Sequence, residues 1–176
     1  MKMHTMPGLL LAMLITLNSA TLAATGTTTP PKGIYALPGN SAADFSLENI
    51  DGEPFSLADA QGRWLFLHFW ASWCVPCRKE MPAIERLQAA LGDQGPRIVL
   101  INTAEDEDTV FEFLAAVATD LDSLLDTDGT VTEQWKPRGL PATWLVDPEG
   151  RVRYQALGGL HWDAPLYVEF LRQLPR

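Results

Sequence analysis

The residues of this sequence whose type and spacing suggest chemistry are its two cysteines, Cys74 and Cys77, with two residues between them. Two cysteines cannot build a disulfide framework, and they exclude a four-cysteine zinc site. The pair is therefore either a redox couple or part of a mixed-ligand metal site. As a redox couple, Cys74 would attack a substrate disulfide and Cys77 would then resolve the mixed disulfide.

The flanking pattern predicts that the pair lies where a buried strand ends and a helix begins. Residues 63–70 are almost continuously apolar, which is typical of a central strand covered on both faces. Apolar residues then recur at helical spacing from 75 to about 91. The first N–H groups of a helix lack intrahelical partners and carry partial positive charge, so a Cys74 thiolate there would be stabilised. Arg78 and Lys79 add positive charge nearby.

The remaining elements alternate along the chain. A short hairpin is predicted over 43–57, and after it the order is strand, helix, strand, helix, strand, short helix, hairpin and helix. This alternation predicts an α/β sandwich with a mostly parallel centre and an antiparallel edge.

Residues 1–23 have the pattern of an export signal, with Lys2 at the start, an apolar run, and small residues before a predicted cleavage after Ala23. The run is short for a membrane span, which needs roughly 20 apolar residues; an uncleaved anchor is the alternative. Residues 24–40, rich in Thr, Pro and Gly, are predicted to be a linker, and 41–176 the folded domain. Export would place the pair in an oxidising compartment, such as the periplasm, where it is a disulfide unless something reduces it.

The charge balance is acidic, with 22 carboxylates against 13 basic residues and a formal net charge of −9. A nucleic-acid-binding surface needs clustered Lys and Arg, so no nucleic-acid partner is expected. Residues 105–108 (EDED) could be a docking patch, but they are better interpreted as an acidic helix start that complements the helix dipole.

Residues 69–82 (FWASWCVPCRKEMP) resemble the active-site segment of the thioredoxin superfamily, in particular of the exported TlpA/ResA/DsbE-type reductases. Residues 139–147 (GLPATWLVD) are similar to the cis-proline segment and following strand of that family. The resemblance covers roughly residues 41–176. It implies a thioredoxin-like α/β fold, with a central mixed sheet flanked by helices, an extra N-terminal hairpin and a central insertion.

The resemblance also implies roles for residues around the pair. The Leu140–Pro141 bond is expected to be cis, with Pro141 beside the cysteines and the backbone of Leu140 pairing with an extended substrate segment. Trp73 and Pro76 would contact the substrate as well. For Trp73 the reason is that exposed aromatic surface beside the pair favours docking of a partner protein. The other tryptophans near the motifs, Trp70, Trp135 and Trp144, are predicted to lie in the core.

For two ionisable residues near the pair, the sequence leaves more than one role open. Glu80 follows Cys77 by one helical turn. The resemblance implies that it assists proton transfer, and a buried carboxylate there could take the proton from Cys77 as Cys77 attacks. Alternatively, Glu80 is exposed to solvent and paired with Lys79 or an arginine. His68 stands where thioredoxin has a buried aspartate that serves proton transfer. A neutral imidazole could do similar work, but a packed strand histidine with satisfied hydrogen bonds is the preferred interpretation.

The sequence therefore predicts an exported thiol–disulfide oxidoreductase, a reductase of protein disulfides that needs no cofactor beyond the Cys74–Cys77 disulfide and no metal. The family implies substrates such as apocytochrome c, a copper-site assembly protein or oxidised secreted proteins, a membrane thiol transporter as electron donor, and a monomer. An oxidase or isomerase of the same fold is one alternative. A copper-binding module using His161 is another, although such proteins separate their cysteines by three residues. A peroxidase is disfavoured, because its Thr-x-x-Cys setting is absent.

Overall fold

The computed structural model describes residues 29–117 and 121–175, together with Met1. The rest of the predicted export signal, and the linker as far as residue 28, lie outside the described residues. Within the described part, no helix has both the length and the apolar character needed to cross a membrane.

From residue 46 onward, the described residues form strands and helices in the predicted order. The strands are β1 (Ile34–Ser41), β2 (Ser46–Glu48), β3 (Pro54–Ser56), β4 (Leu65–Trp70), β5 (Arg97–Thr103), β6 (Ser123–Asp126), β7 (Ala142–Val146) and β8 (Arg151–Leu157). The helices are α1 (Val75–Leu91), α2 (Glu107–Val117), α3 (Thr130–Trp135) and α4 (Pro165–Arg172).

The main sheet has the strand order β1-β8-β7-β4-β5-β6. Strands β4, β5 and β6 are parallel, whereas β7, β8 and β1 are joined by antiparallel pairings. This confirms the predicted mixed α/β sheet with its antiparallel edge. The predicted hairpin is also present, because β2 pairs with β3 in a separate antiparallel sheet.

Strand β4 is buried on both faces over its whole length. Because side chains alternate along a strand, Phe66 and Trp70 join the core cluster that includes Met81 and Ile84 of α1, and the intervening residues face the opposite cluster. His68 has the same parity as Phe66 and therefore faces α1. Fully burying each large apolar side chain contributes about 1.5–3 kcal/mol, which holds β4 and α1 together.

The prediction that residues 24–40 form a linker is wrong over its second half. Residues from Ile34 onward form the edge strand β1, which pairs with β8. The pairing register shifts between Ala36 and Asn40, around Pro38 and Gly39. A proline removes a donor from the ladder, and an edge strand with a bulge tolerates this loss. The Pro and Gly that suggested a linker are thus the residues of an irregular edge strand.

Candidate active site

Cys74 is the N-cap residue of α1, at the predicted junction between strand and helix. It forms a disulfide with Cys77, and the backbone N–H of Cys77 points at Cys74 Sγ, with an N···S distance of 3.3 Å. Cys74 retains 4% exposure, whereas Cys77 has none. Of the two cysteines, Cys74 is therefore the one nearer to solvent. In the reduced protein, the N–H of Cys77 would stabilise a thiolate on Cys74.

The first turns of α1 hold two prolines and two basic residues. Pro76 lies in the first turn, where a missing N–H has no cost, and the helix continues through Pro82, which cannot donate to the carbonyl of Arg78. Arg78 and Lys79 are exposed. The Arg78 guanidinium lies over the ring of Phe113, 5.5 Å from its centroid, so its cation is held beside α2.

The Leu140–Pro141 peptide bond is cis, as the resemblance implies. Pro141 precedes β7 directly, and its carbonyl accepts a hydrogen bond of 2.9 Å from the N–H of Gly158. The next residue, Gly159, lies against α1: a Cβ placed on it would be 3.6 Å from the Pro76 carbonyl oxygen. The loop after β8 therefore connects the cis-proline segment to the first turn of α1.

Glu80 is buried, with 4% exposure, so the solvated alternative for this residue is wrong. Its Oε2 accepts the backbone N–H of Leu160 at 3.1 Å, and its Oε1 lies 3.2 Å from Nε2 of His68. The loop after β8 and strand β4 thus hold the carboxylate inside the protein, one turn along α1 from Cys77.

His68 is fully buried in the sheet, which agrees with the packed-histidine interpretation. Its Nδ1 lies 2.9 Å from the hydroxyl oxygen of Thr143 on the neighbouring strand β7. Its Nε2, however, lacks the hydrogen bond that this interpretation assumed. The contact with Glu80 is within ion-pair distance, but its angle falls short of a hydrogen bond, and Nε2 has no partner elsewhere among the described residues.

Glu105 is a site residue that the sequence did not reveal. Its carboxylate accepts the backbone N–H of Ser72 at 2.7 Å, the Ser72 hydroxyl, and the side-chain amide of Asn102 at 2.7 Å. Ala104, just before it, has a positive φ of 55°, which turns the chain at the end of β5. Glu105 therefore fastens the turn that leads into Cys74, and the only sequence signal was an acidic residue after a buried strand.

The rest of the acidic run behaves as predicted. Helix α2 begins at Glu107 and carries Glu107 and Asp108 in its first turn. Asp106 precedes it and accepts the backbone N–H of Thr109 at 2.8 Å. This hydrogen bond lowers the pKa of the Asp106 carboxyl from its ordinary value.

The tryptophans divide between core and surface as predicted. Trp73 is 67% exposed, next to Val75 at 59%, whereas Trp70, Trp135 and Trp144 are buried. The Trp70 indole N–H donates to the hydroxyl of Ser123 at 2.9 Å. An apolar surface consisting of Trp73, Val75 and the exposed Pro76 therefore adjoins the disulfide.

No group of three or more His, Cys, Asp and Glu side chains within residues 29–117 and 121–175 is placed to hold a metal ion. His161, the histidine considered for copper, is exposed in the loop after β8.

The chain is similar to curated thiol–disulfide oxidoreductases. It is 36% identical over 114 residues to ResA of Bacillus subtilis, covering 65% of this chain and 64% of ResA. It is 33% identical over 122 residues to ResA of Halalkalibacterium halodurans, covering 69% of each chain. The chain thus spans about two thirds of the length of these curated relatives.

Solved structures and a family model agree with this similarity. A thiol:disulfide interchange protein from Chlorobium tepidum, described as a DsbE, superposes with a TM-score of 0.66 at 32% identity, covering 77% of this chain and 92% of that one. StoA from Bacillus subtilis superposes with a TM-score of 0.63 at 26% identity, covering 73% of this chain and 96% of StoA. The model of the AhpC/TSA family matches residues 38–155. The chain therefore belongs to the AhpC/TSA family of thioredoxin-like proteins, and within it resembles the ResA- and DsbE-type proteins.

Proposed function

We propose that this protein is a thiol–disulfide oxidoreductase that reduces disulfides in other proteins. The observation that carries the proposal is the Cys74–Cys77 disulfide at the N-terminus of α1, in which Cys74 alone retains exposure. The helix start favours a thiolate on Cys74, and the buried Cys77 would resolve an adduct on it.

The exchange proceeds in two steps that together move two electrons. The Cys74 thiolate attacks a substrate disulfide, which forms a mixed disulfide and releases one substrate thiolate. Cys77 then loses its proton and attacks Cys74 Sγ, which breaks the mixed disulfide and releases the second substrate thiolate. Each substrate thiolate takes a proton from water, so the substrate leaves as a dithiol, and the Cys74–Cys77 disulfide remains. Glu80, one turn from Cys77, would receive the proton of Cys77.

The surface around Cys74 suits a protein substrate. Trp73, Val75 and Pro76 form exposed apolar area, and the half-buried Leu140 leads into the cis bond to Pro141. An extended substrate segment would lie along the backbone of Leu140, with its disulfide at Cys74. The aromatic area next to the disulfide supplies contact without requiring a defined side-chain sequence in the substrate.

The resemblance to exported reductases supports the finer parts of the proposal. Residues 1–23 would direct export, so that the protein works in the periplasm, either free or anchored by this segment. The disulfide would serve as its redox group without a further cofactor, and a membrane thiol transporter would reduce it again. Apocytochrome c, or a protein of copper-site assembly, would be its substrate, and the protein would act as a monomer.

The direction of the reaction is tested by equilibrating the protein with glutathione or dithiothreitol buffers and measuring the reduced fraction by thiol alkylation. A reduction potential below roughly −200 mV supports a reductase, whereas one near −120 mV, as in strong oxidants, overturns that direction and identifies an oxidase of the same fold. Tight binding of one copper per chain would instead favour the copper-binding module.

The substrate is identified with a Cys77→Ala variant expressed in the native host. This variant keeps the nucleophile but cannot resolve the adduct, so mixed disulfides accumulate on Cys74. Cys74→Ala is the matched control, because it lacks the nucleophile. Adducts that occur with Cys77→Ala and are absent from Cys74→Ala are the substrates; equal recovery from both variants contradicts the assignment of Cys74 as nucleophile.

A further inference from the structure

His68 occupies the middle of the main sheet, on the face that α1 covers. It pairs with Leu100 of β5 and Thr143 of β7, and its side chain has no exposure. The ring of Phe66 stacks beside it, with the ring centroids 6.1 Å apart. A polar side chain in such surroundings is costly unless its nitrogens have partners.

The partners of His68 are a hydroxyl on one side and a carboxylate on the other. Nδ1 lies 2.9 Å from Thr143 Oγ1, and Nε2 lies 3.2 Å from Glu80 Oε1. The second carboxylate oxygen, Oε2, already accepts the N–H of Leu160. Among the described residues, neither Nε2 nor Oε1 has a hydrogen-bond partner elsewhere. The two atoms are therefore available only to each other.

Few other ionisable groups surround this pair. Along α1 the neighbours are Cys77, buried one turn before Glu80, and Lys79, which is exposed. The loop after β8 brings His161, which is exposed as well. Strands β5 and β7 place uncharged residues opposite the histidine. Among these neighbours, Cys77 is the one that is buried together with the pair.

The charge of the pair depends on one proton. A neutral imidazole beside a carboxylate leaves a negative charge in a buried site, and such a charge is costly without a partner. One added proton removes the net charge, whether it is on the imidazole or on the carboxylate.

We propose that His68 forms a buried dyad with Glu80 that holds one proton, so that the imidazole supports the proton exchange between Glu80 and Cys77 that belongs to the proposed function. This inference rests on the proposed oxidoreductase function and deepens it. Glu80 transfers the proton, and His68 is a positioning residue that keeps the proton available at Glu80.

The proton balance follows the two half-reactions. When Cys77 attacks the mixed disulfide on Cys74, its S–H proton passes to Glu80, and the dyad becomes neutral as the Cys74–Cys77 bond forms. When a donor thiolate attacks Cys74, the bond between Cys74 and Cys77 breaks, and the departing Cys77 thiolate takes the proton back from Glu80. The second donor thiolate then attacks the mixed disulfide, which releases the Cys74 thiolate and leaves the donor as a disulfide. The same proton thus remains in the interior, while the electrons come from the donor dithiol and go to the substrate.

The first test is the pH profile of the resolving step, measured from pH 5 to 9 on glutathionylated protein by following release of glutathione. His68→Gln is the informative variant, since its amide can donate to Glu80 but cannot take up a proton; His68→Asn retains only a group near the Nδ1 position. Ser123→Ala is the matched control, because it removes a buried hydrogen bond to β4, that of Trp70, without touching the dyad.

We expect the profiles of His68→Gln and His68→Asn to shift by about one pH unit or more, which is a tenfold change in rate on the sloping limb. The Ser123→Ala profile should keep its wild-type position. A shift in Glu80→Gln with none in either His68 variant overturns the role of His68 and leaves the role of Glu80 standing. If the wild-type protein resolves no mixed disulfide at any pH, the proposed function itself fails.

The second test uses the wild-type protein and so does not depend on a variant that folds. The chain has three histidines, which makes the ring signals of His68 readily assigned by NMR after labelling of histidine. The pH at which these signals change should differ between the oxidised and the reduced protein, because the dyad shares its proton with Cys77 only in the reduced form. Identical pH dependence in the two redox forms contradicts the dyad.

Discussion

Two glutamates flank the cysteine pair, and their surroundings differ. Glu105 is half-buried and accepts hydrogen bonds from Ser72 and Asn102, none of which comes from an ionisable group. Glu80 is buried, accepts a backbone N–H from Leu160, and has the imidazole of His68 in contact with its other carboxylate oxygen. A carboxylate surrounded by fixed donors can position the backbone. A carboxylate beside an imidazole can change its proton content, so the two residues suit different tasks.

The largest expected effect is that of Glu80→Gln on proton transfer. The amide oxygen can still accept the Leu160 N–H, but the side chain no longer takes a proton from Cys77. We expect the resolving step near neutral pH to slow by about a hundredfold. The measurement is stopped-flow release of a small thiol from the mixed disulfide on Cys74. A rate close to that of the wild type would mean that Glu80, like Glu105, does not act in proton transfer.

The next effect is the loss of stability in Glu105→Ala. The Ser72 N–H and the Asn102 amide would lose their partner, so the free energy of unfolding should fall by about 2 kcal/mol. Urea denaturation of the oxidised protein measures it. The control is Glu107→Ala, an exposed residue of the same acidic run, which should change stability by no more than about 0.5 kcal/mol.

The same Glu105→Ala variant sharpens the comparison when its kinetics are measured. If Glu105 only positions the turn before Cys74, the pH profile of the resolving step keeps its midpoint even where the absolute rate falls. A displaced midpoint, similar to that expected for His68→Gln, would show that Glu105 also takes part in proton transfer.

The smallest effect concerns Asp106, the neighbour of Glu105. The hydrogen bond from Thr109 lowers the pKa of the Asp106 carboxyl in the folded protein. Its stabilising contribution is therefore present above the unfolded pKa and is lost as the pH falls through the folded pKa. When the pH is lowered from neutral to about pH 3, the free energy of unfolding should therefore fall less in Asp106→Asn than in the wild type. Urea denaturation at each pH measures it. Equal losses in the two proteins contradict this.

The sequence predicted those features that depend on local pattern or on a contiguous motif. The strand-to-helix junction at Cys74 followed from an apolar run and a helical repeat, and the exposed Trp73 followed from its place in the motif. The cis bond before Pro141 came from the resemblance, because nothing in the sequence alone specifies cis geometry.

What the sequence did not predict depends on contacts between distant segments. Glu105 reaches Ser72 across 33 residues, and the loop with Leu160 reaches Glu80 across 80. No periodicity encodes either contact, because each one exists only once β4, β5 and β8 are assembled in the sheet. Strand β1 was missed for the same reason: its partner is β8, and its own Pro38 and Gly39 are typical of a loop.

Gly33, just before β1, is a residue with no chemistry of its own that nevertheless lies against the site. It has a φ of +91°, and a Cβ on it would lie 2.9 Å from a methyl carbon of Leu160, whose N–H binds Glu80. A side chain at this position would be strained in its backbone and would also press on Leu160. In an alignment of orthologous sequences, we therefore expect glycine at position 33 whatever the size of the residue at position 160, so that this invariance would mark the support of Glu80 far from the cysteines.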